Sequence, residues 1–426
     1  MKTATGYTVI TNGQMVDGTG ASPTPDATVV VHDGHIEYAG STAEAPPFPE
    51  NATRIDANGG TILPGLVEAH YHPTYFNVAA LEDLDIKYPV EYVTLLAAAN
   101  AKLALECGYT SARSGGSLFN IDVWLKKALE SDVTLGPRLS ASGREICGVG
   151  GLMDWNPDFR KIGMEGLVLL VNGPHEARSA VRKLVKDGVE WVKTYPTGDA
   201  AAPDTNDHHT LCMTFEEMHA VVQTAHNHKL KVTGHCRATQ GIKNALRAGY
   251  DTLEHGTFMD DEALDMLLER NTPVVPALQF EYASVVFGAE YGMSQAVLDG
   301  HQETLEGGAE SARRILKAGG RLGMGGDYGF AWTPHGTYAK ELTFFVKYVG
   351  LSPLQVLSCA TKTGAEIMGR DAEFGTLEAG KLADILVVDG DILADIALLE
   401  DRTKLIAVMQ GGIVKAGRLA QPSLGN

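Results

Sequence analysis

Residues 61–72 read TILPGLVEAHYH, an apolar run that ends in two histidines separated by one residue. In an extended strand, side chains two positions apart point to the same side. His70 and His72 can therefore offer two imidazoles to one metal ion from a strand end, with Tyr71 turned away. A helix would not align them so. By itself the pair is a weak signal, because two partly exposed histidines at a strand end give the same text. Its weight depends on the polar residues at later strand ends.

The chain has 426 residues, 44% of them hydrophobic, which is enough for a large core and for a barrel plus a small accessory domain. It carries 35 basic against 53 acidic residues, a formal charge of −18, with no cluster of Lys or Arg. Nucleic acid and anionic membrane surfaces are thereby disfavoured as partners, and a small-molecule substrate is expected. The five cysteines, Cys107, Cys147, Cys212, Cys236 and Cys359, are widely spaced without a CxxC pair and read as reduced thiols. A cytoplasmic location is expected, although a leader peptide already removed would leave no trace. No apolar run approaches the roughly 20 residues of a membrane span, and the start MKTATGYTVI lacks the apolar core of a signal peptide.

Up to residue 62 the text consists of short β-rich runs punctuated by glycine, and Asp33-Gly34 between VVVH and HIEYAG is a strong two-residue hairpin signal. The same style returns only in 375–391 and 404–418, where Gly411-Gly412 repeats the hairpin logic. Residues 1–62 and 370–426 are therefore expected to pair as one small antiparallel β domain, a sandwich built from both termini, with residues 63–369 inserted between them.

The middle alternates β-rich runs with amphipathic stretches, the signature of βα units. Eight strand candidates fall at 65–72, 109–114, 138–146, 191–197, 231–237, 251–257, 273–279 and 321–329. Between them, runs such as 175–188, 214–229, 239–249, 260–271 and 309–320 are apolar at helical spacing and mostly end on a glycine cap. Eight such repeats predict an α/β fold with a closed (β/α)8 TIM barrel. A doubly wound nucleotide-binding sheet would need a glycine-rich phosphate loop after its first strand, where His70-Tyr71-His72-Pro73 stands instead, and the glycines of 147–153 do not open a helix.

In such barrels the chemistry sits at the C-terminal ends of the strands. Those ends carry His70 and His72, then Lys193, His235, His255 behind Glu254, and Asp327. Each residue alone is explained by packing or by a hydrogen bond. Gathered at one mouth, buried histidines with a carboxylate would be costly without a metal.

The set resembles the metal-dependent amidohydrolase superfamily in its binuclear branch, whose pattern is HxH on strand one, a carboxylated lysine on strand four, histidines on strands five and six, and an aspartate on strand eight. The likeness covers nearly the whole chain, including EHGTFMDDEAL and the closing GTLEAGKLADILVVDGD. The middle is most similar to carboxypeptidase-like and prolidase-like members and to the ochratoxin-hydrolysing enzymes of bacteria and fungi, on general likeness and not on a diagnostic motif. The resemblance implies two divalent metal ions per chain, expected as zinc roughly 3.5–4 Å apart, with manganese or cobalt compatible. It implies that His70, His72 and Asp327 hold one ion and His235 and His255 the other. A carbamate on Lys193 and a water bridge them, and Asp327 acts as general base. A carbamate is a two-oxygen anion able to bridge two ions, which an ammonium is not.

Substrate contacts are less legible. A substrate carboxylate would need a local cation or hydroxyl, and the strand-end or loop candidates are Arg113, Arg144, Tyr195, Arg237 and Tyr328. An ion pair stitching neighbouring loops is the plain alternative for each arginine. The long segment 194–213 is a candidate lid in which His208 and His209 read as solvated, and the aromatic-rich segment 280–301 suits either a pocket wall or a subunit interface. His301 and His335 are candidates for outer positions of the site, with a structural role preferred. Cys236, next to His235, should face away from it as a small packed side chain.

The leading functional expectation is cleavage of the amide bond of N-acyl amino acids or dipeptides, ochratoxin A to ochratoxin alpha and L-phenylalanine included. A cyclic amide or lactone hydrolase, of the imidazolonepropionase or dihydroorotase kind, is the alternative. A non-catalytic scaffold is disfavoured because all six ligand positions are filled. A homo-oligomer is expected of such barrels.

Overall fold

The computed structural model of the chain describes residues 4–80, 83–155, 166–202 and 204–420. Its strands are β1 (Tyr7–Met15), β2 (Thr24–His32), β3 (His35–Ser41), β4 (Thr53–Asp56), β5 (Thr61–Pro64), β6 (Leu66–Tyr71), β7 (Tyr109–Ser114), β8 (Arg138–Ser140), β9 (Glu145–Gly148), β10 (Val168–Val171), β11 (Trp191–Thr194), β12 (Lys231–Cys236), β13 (Thr252–His255), β14 (Val274–Val275), β15 (Ile385–Val388), β16 (Leu405–Gln410) and β17 (Ile413–Ala416).

Both termini feed one sheet, in the order β17-β16-β15-β5-β1-β2-β3 with β4 on β1. It is mixed and not purely antiparallel, since β1 runs parallel to both β4 and β5. The Asp33-Gly34 hairpin joins β2 and β3 with both residues at positive φ, 47° and 78°, as a two-residue turn matched to strand twist requires. Gly411-Gly412 does the same between β16 and β17 at 56° and 80°.

The strands β5 and β15 show how this sheet is anchored. Ile62, Ile385 and Val387 belong to a core formed within the terminal sheet, whereas Leu63, Leu386 and Val388 belong to the core shared with the central region. The two-residue period of a strand sends successive side chains to opposite faces, so one short apolar run fills two cores. Burying each such side chain contributes about 1.5–3 kcal/mol.

Parallel strands occupy the centre. β6, β7 and β8 form one sheet, and β10-β9-β11-β12-β13-β14 form another. Every residue of β6 and of β7 is buried, as expected where a parallel sheet is covered on both faces. Backbone bonds run between the two sheets on both sides: Trp191 N donates to Ala141 O at 3.1 Å beyond β8, and the segment 322–324 receives Ala69 N on Met324 O at 2.9 Å while Gly323 N donates to Val274 O at 2.9 Å. Helices alternate with these strands, among them Val90–Glu106, Pro174–Asp187, Phe215–Asn227, Thr239–Ala248, Asp261–Arg270 and Gln295–Lys317.

Four details depart from the strand pattern read in the sequence. The third candidate splits into β8 and β9, because Ser142 N and Gly143 N donate to buried Asp122 at 2.8 and 3.0 Å instead of to a strand. The seventh is cut to two residues by Pro276, which has no N–H to continue the ladder. The eighth, rich in glycine, is not a continuous strand: it makes an isolated bridge at Leu322 and scattered backbone bonds, among them Val274 N to Arg321 O and Val78 N to Gly329 O, each at 3.1 Å. β10, an additional edge strand parallel to β9, lies outside the eight candidates.

Candidate metal centre and active site

The end of β6 places His70 and His72 side by side, with ring centroids 5.1 Å apart. His72 stacks on Tyr75 at 4.1 Å and its Nδ1 lies 3.2 Å from Gly116 O, which sets the orientation of its ring. Asp327 Oδ1 comes within 3.3 Å of His72 Nε2 and 3.8 Å of His70 Nε2. Two donors each 2.0–2.1 Å from one tetrahedral zinc lie about 3.3 Å apart, so this trio has ligand spacing. β12 and β13 bring His235 and His255 together at 4.4 Å between centroids, with His255 5.3 Å from His70.

The backbone is bent to do this. His255 and Asp327 hold φ of 66° and 53°, the left-handed region that a non-glycine residue occupies at a cost of about 1–3 kcal/mol. Glycines make the remaining room. A Cβ on Gly115 would lie 2.6 Å from His70 Cδ2 and 2.8 Å from His72 Nε2, and one on Gly325 would strike the His70 backbone.

Electrostatically the site is poised for cations. Burial pushes His70, His72 and His255 well below the usual imidazole range, and burial together with the Arg237 guanidinium holds His235 near about 3. All four rings are therefore neutral at physiological pH, the form in which imidazole binds metal. Both nitrogens of His255 and Nδ1 of His70 are buried without a hydrogen-bond partner. Burial raises Asp327 to about 7 and Glu145 to about 8, and the Glu145 oxygens make no strict hydrogen bond, with Oε1 3.7 Å from His72 Nδ1. Neutral nitrogens and under-satisfied oxygens around one point fit divalent cations.

Lys193, at the fourth predicted position on β11, projects between these groups. Its Nζ is 3.5 Å from His70 Nε2 and 5.0 Å from the Tyr195 ring centroid, and it donates to Glu254 Oε2. Glu254 also accepts from Arg113 Nη2 at 2.7 Å. Burial alone would raise Glu254, but Lys193 and Arg113 outweigh it and bring the carboxyl down to about 2.

The residues proposed from sequence for substrate contact separate here. Tyr195 lines the cavity and stacks against His235 at 5.3 Å. Arg113 is buried on Glu254, and Arg237 is buried between Asp199 (2.6 Å) and Glu281 (2.6 Å). Tyr328 is buried with its hydroxyl donating to Tyr338 O at 2.9 Å. None of these three, nor half-buried Arg144, is among the residues lining the cavity. Buried strand-end arginines need carboxylates, and theirs come from Glu254, Asp199 and Glu281. Asp199 and Glu281 are thus functional neighbours that sequence reasoning did not single out. His301 Nδ1 lies 2.7 Å from Glu281 Oε2 at the cavity edge, His335 sits against Tyr338 and Tyr75, and Cys236 is buried away from the cavity.

The cavity above His70, His72, Lys193, His235 and Asp327 measures about 490 Å³. Its walls are apolar and aromatic: Phe280, Phe330 and Trp332 pack at 4.8–6.1 Å between centroids, and Tyr291 meets Trp332 at 5.7 Å. Segment 280–301 therefore supplies pocket wall through Phe280, Tyr291, Met293 and Val297. Among the described lining residues the cationic side chain other than histidine is Lys193.

A family model described as "Amidohydrolase family" matches residues 61–414. The chain belongs to the amidohydrolase family. It is thus a hydrolase acting on amide bonds, within a family that generally uses divalent metals and has a TIM-barrel-type α/β fold. Among curated amidohydrolase relatives, an ochratoxinase of Aspergillus niger is 26% identical over 95% of this chain and 86% of its own length. An imidazolonepropionase of Mycolicibacterium smegmatis is 22% identical over 95% of this chain and 94% of its own. Among solved structures, a Xaa-Pro dipeptidase with methionine bound in its active site is similar at a TM-score of 0.85 and 27% identity, over 96% of this chain and 99% of that one. No helix among the described residues is long and apolar enough to cross a membrane.

Proposed function

We propose that this amidohydrolase releases a C-terminal amino acid from N-acyl amino acids or dipeptides with an aromatic or bulky apolar acyl side. The reading rests on one observation: neutral buried His70, His72 and His235, with Asp327 and Lys193, form the floor of an aromatic-walled cavity of about 490 Å³, and His255 packs against His70 and His235 beneath it. The ochratoxinase and Xaa-Pro dipeptidase relatives, whose names describe such chemistry, support it. In the same reading the two parallel sheets are arcs of one (β/α)8 barrel over 63–369, inserted into a β domain formed by 1–62 and 370–426.

His70, His72 and Asp327 would hold one divalent cation and His235 with His255 the other, with a carbamate on Lys193 between them. Zinc suits this nitrogen and oxygen set. Bound there, the cations supply Lewis acidity that polarises the scissile carbonyl and acidifies a water.

The chain's own groups do the rest. Lys193 Nζ donates to Glu254, which is held by Arg113; a carboxylated Lys193 would keep one N–H for the same acceptor, and Glu254 would orient it. Asp327, 3.3 Å from His72 Nε2 at the cavity floor, takes a proton from the attacking water and returns it to the leaving amine nitrogen as the C–N bond breaks. Tyr195 fixes the His235 ring by stacking. Phe280, Phe330 and Trp332 exclude water and receive the acyl group by apolar contact. The aromatic walls give the acyl side its contact surface.

The imidazolonepropionase relative favours a second reading, ring opening of a cyclic amide on the same residues. Parallel assays of N-acyl-L-phenylalanines and of imidazolone-type cyclic amides decide between them. Release of free phenylalanine supports the first reading. Turnover of the cyclic substrate alone supports the second.

A further inference from the structure

Segment 194–213, after Lys193, folds back on itself: Gly198 N donates to Thr210 O at 3.0 Å and Cys212 N to Pro196 O at 2.9 Å. Near its tip stand His208 and His209, with ring centroids 4.5 Å apart. Both rings turn to one carboxylate on the helix Gln295–Lys317, with His208 Nε2 3.1 Å from Glu303 Oε2 and His209 Nε2 3.3 Å from Glu303 Oε1. The two rings also pack on Phe258, at 5.4 and 4.7 Å, three residues beyond His255.

We propose that His208, His209 and Glu303 form an accessory divalent-cation site, of zinc class, separate from the catalytic centre. The ligand atoms these residues offer all lie within 4.8 Å of one another. The two nitrogen–oxygen separations match the roughly 3.3 Å between donors that share a tetrahedral zinc at 2.0–2.1 Å. Two imidazoles and a carboxylate are a donor set zinc accepts, leaving a fourth position for water. The site is open to solvent, with the His209 and Glu303 side chains 54% and 56% exposed, so an ion can enter without unfolding anything. His208 is buried and held by Phe258, which preorganises one ligand.

The position gives the cation a structural consequence. The segment it would clamp carries Asp199, which holds Arg237 and stands 3.4 Å from His235 Nε2, while the helix on the other side supplies Val297 and His301 to the cavity wall. An ion at His208, His209 and Glu303 ties the loop after β11 to that wall.

The test is elemental analysis of wild-type protein, His209→Ala and Glu303→Gln, each equilibrated with ZnCl2 and passed through a desalting column. Glu303→Gln can accept from one histidine through its oxygen and donate to the other through its amide N–H but is a poor zinc ligand, so it preserves the loop contact while removing the site. Wild type should retain about one zinc per chain more than either variant, whatever the occupancy of the catalytic centre. Equal zinc in all three proteins would mean that the cluster is only a hydrogen-bonded contact, and the proposal would fall.

Discussion

His72 Nε2 and Asp327 Oδ1 stand 3.3 Å apart although they come from opposite ends of the central region, His72 just past β6 and Asp327 on a glycine-rich segment with only isolated β pairing. That closeness depends on Gly115, whose missing side chain leaves space for both His70 and His72. We expect Gly115→Ala to lower metal content and amidase activity at least tenfold while the protein still folds. Elemental analysis together with circular dichroism checks this, and unchanged metal content would show that the rings tolerate displacement.

Metal-stripped protein should show a stability maximum between about pH 6 and 7. Burial raises Asp327 to about 7 and Glu145 and Glu341 to about 8. A carboxyl raised in this way stabilises the fold fully below its unfolded value near 4, and that contribution is lost as pH rises through the folded value. The buried histidines act oppositely. With folded values depressed, His235 to about 3, they contribute above their unfolded value of about 6.5 and lose the contribution as pH falls below it. Thermal melts of chelated protein across pH 5–9 check the sign, and a steady rise in Tm up to pH 9 would contradict it.

Arg113 and Glu254 are buried together, so removing both should cost less than the sum of removing each. Arg113→Met leaves Glu254 with Lys193 alone, for an expected loss of about 3 kcal/mol. The double variant Arg113→Met, Glu254→Gln should lose less stability than the sum of the singles. Urea melts of the four proteins give the coupling, and strict additivity would show that the two side chains do not stabilise each other.

Trp332→Ala should raise KM for N-acyl substrates with an aromatic acyl group about tenfold or more, an apolar contact of roughly 1–3 kcal/mol, and change N-acetyl substrates little. Equal effects on both substrate sizes would place the acyl group elsewhere.

Much of the centre was legible because strand periodicity and spacing encode it. The HxH of His70 and His72 needs only a two-residue period, and Lys193, His235 and His255 follow from strand-end positions, whereas Asp327 stands on a glycine-rich segment that pairs only at isolated bridges. The Asp33-Gly34 and Gly411-Gly412 hairpins were legible for the same local reason. The fate of the arginines was not. Whether Arg113 and Arg237 face substrate or a buried carboxylate depends on Glu254, Asp199 and Glu281, which the fold brings from distant segments. Strand lengths were also hidden, since Pro276 and the capture of Ser142 and Gly143 by Asp122 end pairing that β-propensity alone would continue.

The proposed binuclear hydrolytic centre is tested most directly by metal content and hydrolysis of N-acyl-L-phenylalanines, measured on wild type and on Lys193→Ala after zinc and bicarbonate loading. Protein in which His208, His209 and Glu303 have been substituted is used, so that only the catalytic centre is counted. About two zinc per chain in the parent, with both zinc and activity lost in Lys193→Ala, is the expected result. A parent protein that binds no zinc and stays inactive would contradict it.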